Sequence, residues 1–354
     1  MTIVSVDLGY GYVKAVSTSG KKVLFPSLVG AGHDRSLAGL FGSSGQDISE
    51  CHVRMNGQEF FLGELAKKES KNSVRIFEQD RYRHEHTKLM MNAAIQLVTP
   101  PEQQVVRLVT GLPLDFYKQQ AKEVKRVLEG VYPELEWVSG PLGRATRRIS
   151  VEQCIVFPQG AGAVMSALYS DQLAPNYPQL VEEGAKVGLI DIGFRTTDFI
   201  VVEIQKNGSF KPKPELSGTI DVQGVVNLHK DILRAFKQKT GGSDLSEEYI
   251  DRIIRTRMIR YRGQPVRFDD TIESSLVHTS TKIADGVKES WNNVLDLLDM
   301  IFVAGGGGEL YFPYLKKMLS HQLELVADSQ FANALGYLKL GRAIWQAEKR
   351  ENAM

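Results

Sequence analysis

Two short stretches carry the residue types that phosphate chemistry needs. In Asp7-Leu8-Gly9-Tyr10-Gly11-Tyr12-Val13-Lys14, an apolar run ends in an aspartate, followed by two glycines in a turn and a lysine just beyond. Glycine lets backbone N–H groups approach an anion closely, and the lysine can reach a β- or γ-phosphate as a point charge. Asp191-Ile192-Gly193-Phe194-Arg195-Thr196-Thr197-Asp198 repeats the Asp-x-Gly-aromatic pattern and puts hydroxyls where the first stretch has its lysine. Two such turns would clamp phosphates from both sides, with Asp7 and Asp191 meeting near one Mg²⁺. The ion would be held through waters, which it sheds reluctantly. Either turn alone reads equally well as an ordinary hairpin turn. A third stretch, Ile301-Phe302-Val303-Ala304 followed by Gly305, Gly306, Gly307 and Gly308 and then Glu309-Leu310, runs from a buried strand through bare backbone into a helix. A flat ring or a ribose-phosphate can lie against such backbone, and a helix N-terminus favours anions. A flexible linker would not abut a strand and a helix so directly.

The elements around these stretches set their geometry. Thr2–Leu8, Tyr10–Ser17 and Lys22–Phe25 read as a three-strand meander. Gly30–Gly45 reads as a surface loop, and Asn56-Gly57 as a type I′ turn between the strands Cys51–Met55 and Glu59–Leu62. Helical periodicity predicts helices over His84–Val98 and Leu114–Leu128, with a buried strand at Val105–Gly111 between them. A strand over Ser150–Phe157 and a helix over Gly160–Leu168 follow. After a connector, Ala174–Glu183, the order repeats. Strands are predicted at Val187–Asp191, Thr196–Ile204 and Ser209–Ser217, and helices at Gln223–Lys239, Ser246–Met258 and Glu273–Leu298. Strands at Met300–Ala304 and Leu323–Ala327 alternate with helices at Glu309–Leu319 and Ala332–Ala347. The two Asp-x-Gly-aromatic turns fall at the same place in each half. A duplicated α/β architecture explains that register better than chance does.

Bulk properties narrow the classes. The chain of 354 residues suits two domains. It is 42% hydrophobic and 24% charged with a formal net charge of +1, so as a whole it makes no electrostatic case for binding DNA or an anionic membrane. Any nucleic-acid link should run through a partner. Two isolated cysteines, Cys51 and Cys154, fit a reducing cytosol and argue against a zinc site. No apolar run is long enough to span a membrane, and the first residues read as a strand rather than a signal peptide. There is no GxxxxGK[ST], and Gly9 and Gly11 do not continue into GxGxxG, so the P-loop and Rossmann fingerprints are both missing.

The order DxGxGxxK, a helix opened after Phe157-Pro158-Gln159-Gly160-Ala161, DIGxxTTD, and a strand ending in glycines resembles the actin, heat-shock chaperone and sugar-kinase superfold. These stretches look like its phosphate-1, connect-1, phosphate-2 and adenosine segments, and Asp328–Gly336 resembles connect-2. Thr110-Gly111-Leu112-Pro113-Leu114, the hairpin Met55–Ala66 and Asn333-Ala334-Leu335-Gly336-Tyr337 resemble the ParM and archaeal actin-like branch. The resemblance implies an actin-like (ribonuclease H-like) duplicated two-domain fold with a nucleotide cleft between the domains. It places residues 1–157 and 328–354 in domain I, with a small subdomain around 30–80. Residues 158–327 form domain II, with a small subdomain around 223–290. It implies that Gly9, Tyr10, Gly11, Tyr12 and Lys14 hold phosphate on one side and Gly193, Phe194, Thr196 and Thr197 on the other. Gly305 to Gly308 would lie along the adenosine, and Asp7 and Asp191 would serve Mg²⁺. Gln159 stands where ParM-like proteins often carry glutamate; glutamine orients water but is a poor base, which implies slow turnover. Gln159 can equally be a helix-start residue bonding to backbone.

The resemblance further implies ATP, or GTP in its place, as ligand and a cytoplasmic filament of head-to-tail copies. A ParR-like DNA-binding adaptor at a plasmid centromere is the implied partner, with no direct nucleic-acid or membrane contact. A non-polymerising small-molecule kinase of the same superfold is the alternative, disfavoured by chain size. Three other features are less specific. His84 and His86 read as a solvated helix start. Arg252, Arg255, Arg257, Arg260, Arg262 and Arg267 read as an exposed helix face, or as a surface for a filament neighbour or DNA. Tyr311, Phe312 and Tyr314 suit either a partner or the core.

Overall fold

The first strand shows how alternation divides the molecule. In the computed structural model, β1 (Thr2–Leu8) sends Val4, Val6 and Leu8 into one core, while Ile3 and Ser5 face the opposite side of the sheet. The structure describes residues 1–35, 46–70, 72–74, 81–205, 209–221, 224–319 and 322–351. Contacts divide the chain into two units, Met1–Ser166 with Asn333–Met354, and Ala167–Ala332. Both crossings fall later in the chain than residues 157 and 327.

In the first unit, β1 continues through β2 (Tyr12–Ser17) and β3 (Lys22–Pro26). A second sheet begins with β4 (Val29–Ala31), β5 (His52–Met55) and β6 (Gln58–Leu62). Then come α1 (Glu64–Glu69), α2 (Glu85–Val98), β7 (Val105–Leu112), α3 (Leu114–Leu128), β8 (Gly130–Val131), β9 (Leu135–Ser139), β10 (Ala145–Arg147), β11 (Ser150–Pro158) and α4 (Ala161–Leu168). The main sheet has the order β3-β2-β1-β7-β11-β8; β1, β7 and β11 are parallel, and the second sheet is β10-β9-β5-β6-β4. Helix α2 packs on β1, β2 and β3, and α3 on β7 and β11.

The second unit contains α5 (Pro178–Glu183), β12 (Lys186–Ile192), β13 (Thr197–Ile204), β14 (Phe210–Pro212), β15 (Gly218–Ile220), α6 (Val225–Thr240) and α7 (Glu247–Thr256). It continues with β16 (Met258–Tyr261), β17 (Gln264–Arg267), α8 (Asp269–Trp291), β18 (Met300–Ala304), α9 (Gly308–Met318) and β19 (Leu323–Leu325). Its sheet runs β14-β13-β12-β18-β19, with β12, β18 and β19 parallel. The β1–β2–β7–β11 pattern thus recurs as β12–β13–β18–β19. The last helix, α10 (Ala332–Glu351), lies mostly in the first unit, where Tyr337 and Trp345 cover Val109 on the sheet face away from α2.

Several sequence expectations change here. Ser209–Ser217 is not one strand: Pro214, with no N–H for the ladder, opens a short 3-10 turn between β14 and β15. The helix predicted to reach Met258 stops at Thr256, because Arg257 turns left-handed (φ 61°) and leads into the unforeseen β16–β17 hairpin. The presumed connector holds α5, started by Pro178. The presumed loop Gly30–Gly45 begins inside β4, and its residues 36–45 lie outside the described residues, as does Gln223, the expected start of α6. The Asn56-Gly57 turn has positive φ at both residues, as type I′ requires.

Cys51 and Cys154 are core residues, 2% and 1% exposed. Burial pushes the Cys51 thiol up to about 12 and the Cys154 thiol up as well. Since the thiolate is the reactive form, neither should react with a thiol reagent in the native protein at mildly alkaline pH. Both should react fully in denaturant. Stoichiometric labelling of either under native conditions would contradict this packing.

Candidate functional site

Each unit builds the same hairpin from the same register. Asp7 faces Lys14 across β1 and β2, and Asp191 faces Asp198 across β12 and β13. The turns close alike: the Gly9 amide donates to the Tyr12 carbonyl at 3.1 Å, and the Gly193 amide to the Thr196 carbonyl at 2.9 Å. Both aspartates are nearly buried, at 6% and 5% exposure. Each stands at the carboxyl end of a strand that pairs in parallel on one side, where open α/β sheets place ligands.

In the first unit, Lys14 Nζ donates to Asp7 Oδ2 at 2.9 Å, forming a pair mostly withdrawn from water. Ser27, which sequence reasoning missed, fixes the turn. Its amide donates to the Gly11 carbonyl at 2.9 Å and its hydroxyl to the Gly9 carbonyl at 2.6 Å. Two of the turn's carbonyls are thereby held inward. Gln159 is half-buried in the turn between β11 and α4, its backbone N–H donating to the Leu112 carbonyl. The start of α4 is capped from α10, where Asn333 Oδ1 accepts from the Gly160 and Ala163 amides at 3.2 and 3.1 Å. That satisfies two of the donors a helix start leaves open. The stretch containing Asn333 is visible in the sequence; its capping role depends on a partner far away along the chain.

The second unit brings its turn together with the glycine run. The Gly307 amide donates to the Ile192 carbonyl at 2.8 Å, the Gly305 amide to the Ser329 carbonyl at 3.0 Å, and the Gly308 amide to the Gly305 carbonyl at 3.0 Å. Three of the four glycines are buried and spend their donors on the protein, while Gly306 is exposed. Gly305 has φ +89°, and a Cβ there would overlap the Ile192 carbonyl oxygen and Asp191 Oδ1. Its glycine therefore serves close approach to the aspartate strand. Helix α6 starts on the same turn: the Val226 amide donates to the Phe194 carbonyl at 2.7 Å and the Val225 amide to the Gly193 carbonyl at 3.3 Å. Thr197 is fully buried, and Thr219 Oγ1 donates to Asp198 Oδ1 at 2.5 Å.

The less specific features resolve within their units. Tyr311 is fully buried in the second unit's core, with Phe312 and Tyr314 packed beside it. His84 caps α2, its Nδ1 accepting from the His86 amide. Among the described residues, no helix is long and apolar enough to cross a membrane.

Residues 5–162 match the family model for the N-terminal domain of actin-like proteins, and residues 189–317 match that for the C-terminal domain of the archaeal MreB-like actin homologue. An archaeal actin homolog from Thermoplasma acidophilum is 25% identical over 347 residues, spanning 95% of this chain and 98% of its own. The structure is similar to that of ParM in a 15-stranded filament from Clostridium botulinum, with TM-score 0.84 and 29% identity over 97% of this chain and 100% of that one. It also shares its fold with an archaeal actin homolog crystallised with ADP, at TM-score 0.77 and 22% identity over 97% and 100% of the two chains. The chain belongs to the actin-like superfamily, and its similarity to ParM and the archaeal actin homologues is consistent with that branch.

Proposed function

We propose that this protein binds ATP, hydrolyses it slowly and polymerises head to tail into dynamic filaments. The observation that most supports this reading is the repeated hairpin. Each unit ends a central strand in a nearly buried aspartate followed by a glycine turn. It does so in a chain 29% identical, over nearly its whole length, to a filament subunit. In the proposed site Gly9, Tyr10, Gly11, Tyr12 and Lys14, and likewise Gly193, Phe194, Thr196 and Thr197, hold phosphate. The run Gly305 to Gly308 holds the adenosine; GTP is the alternative nucleotide.

The donor chemistry fits Mg²⁺. Asp7 and Asp191, both nearly buried, offer hard carboxylate oxygens, the donor type this ion takes. Such an ion keeps waters and takes phosphate oxygens, and when bound it neutralises charge developing on the transferred phosphoryl group. Gln159 orients the attacking water without serving as a strong base, so positioning carries most of the rate. The wider role we propose is cytoplasmic segregation of plasmid DNA, with a ParR-like adaptor joining filament to centromere.

Pelleting by high-speed centrifugation with Mg-ATP, Mg-ADP or no nucleotide, with phosphate release recorded alongside, tests the core of this reading. ATP should drive the protein into the pellet, and release should follow. Protein that binds ATP yet stays in the supernatant at every concentration would sink the filament reading and bring the small-molecule kinase reading forward.

A further inference from the structure

From Arg252 to Phe268 the chain carries six arginines and no acidic residue, although its overall charge is nearly balanced. The structure places this run on the end of α7 and on the β16–β17 ribbon rather than on a single helix face. The register pairs Met258 with Arg267 and Arg260 with Pro265, so these four share one face. Ile259, Tyr261 and Val266 share the other and pack against the second unit's core. The inner face thus anchors the ribbon, and the outer face carries arginine. Arg252, Arg255, Arg260 and Arg262 are exposed. Arg267 is paired with Asp269 at 2.8 Å, whereas among the described residues none of the four has a salt-bridge partner. Arg262 lies over the Tyr261 ring at 5.2 Å, and Lys239 comes within 5.8 Å of the Phe268 ring, adding a further cation at the ribbon's base.

We infer that this ribbon is a sequence-indifferent binding surface for duplex DNA. Protein interfaces centre on apolar and aromatic anchors; beside its arginines the outer face here carries only Met258 and Pro265, no aromatic ring, and it concentrates guanidinium groups, which match phosphate geometry. A two-stranded ribbon fits the major groove of B-form DNA, whereas the narrow major groove of duplex RNA excludes it. The surface does not depend on the nucleotide site, so it is testable whether or not the protein forms filaments.

Fluorescence anisotropy of a labelled duplex of arbitrary sequence, with the full chain and no nucleotide, provides the test. Micromolar binding is expected at low salt. With four phosphates engaged, raising salt from about 50 to 200 mM should weaken it by about 150-fold. Reversing Arg260→Glu and Arg262→Glu together should cost at least about 100-fold at low salt and halve the salt slope. Arg260→Gln with Arg262→Gln should fall between. The same reversal on the exposed face of α3, Lys122→Glu with Arg126→Glu, should leave binding near the parent. No binding at low salt, or equal loss from both reversals, would overturn the inference. Polyglutamate binding at the ribbon while duplex DNA does not would assign the surface to an acidic protein instead, as would failure of DNA to compete.

Discussion

Gly336→Ala is expected to destabilise the first unit by about 3 kcal/mol or more, lowering its melting temperature by roughly 6–12 °C. Position 336 lies inside α10, where alanine would ordinarily gain about 1 kcal/mol over glycine. The opposing effect is larger. A Cβ at 336 would overlap the carbonyl of Gly162 in α4, a backbone group with no rotamer to move. The helices must separate, and separation loosens the Asn333 cap on α4 and the contact of Tyr337 with Gly111. Gly341→Ala on the same helix provides a contrast. There the nearest obstacles are the side chains of Val109 and Trp345, so the loss should be smaller and partly offset by helix propensity. Thermal unfolding of the two variants decides it. Gly336→Ala melting at or above the parent would mean that α4 and α10 do not cross this closely.

What the sequence made legible followed from local signals. The first meander, the Asn56-Gly57 turn, the buried strands and most of the long helices depend on periodicity or on residues that force a turn, and they lie close to where the pattern places them; the helix expected over Glu273–Leu298 instead runs from Asp269 to Trp291. The repeated Asp-x-Gly turn was legible for the same reason, since residue type and register both lie within a few positions. The β16–β17 hairpin was not. Its turn is Arg262-Gly263, with arginine in the left-handed conformation where asparagine is the usual signal, and only three apolar residues mark its inner face. β9 was missed although Leu135 and Trp137 alternate around Glu136 and are both buried; its short run sat among loop-like neighbours. Ser27, Asn333 and Ser329 act through partners distant along the chain or through backbone atoms, which no local pattern announces. The glycine run shows a subtler limit. Its composition suggests backbone open to a ligand, yet Gly305, Gly307 and Gly308 donate to protein carbonyls.

Asp7→Asn and Asp191→Asn should share one effect and differ in another. Both remove a carboxylate from the proposed Mg²⁺-phosphate site, so each should lower phosphate release by about 100-fold or more, the scale of losing a preorganised electrostatic group. Their effects on stability should differ. Asp7 accepts from the Lys14 ammonium at 2.9 Å in a mostly buried pair, and a hydrogen bond to a charged group is worth about 1.5–3 kcal/mol; asparagine leaves Lys14 without its counter-charge and should lower the melting temperature. Asp191 faces a second carboxylate, Asp198, directly across the ladder, and like charges in that position destabilise a strand pair. Neutralising Asp191 should therefore leave the second unit as stable as the parent or more so. Thermal unfolding without nucleotide, read beside phosphate release, separates the two effects. Equal destabilisation by both variants would show that the Asp191–Asp198 pair carries no repulsion in the free protein. Parent-level release from Asp191→Asn would remove Asp191 from the catalytic site. The expected outcome, turnover lost while stability holds or rises, would mean that the second hairpin keeps a facing pair of acids for the sake of its ligand, at a cost to the fold that the first hairpin avoids with its lysine.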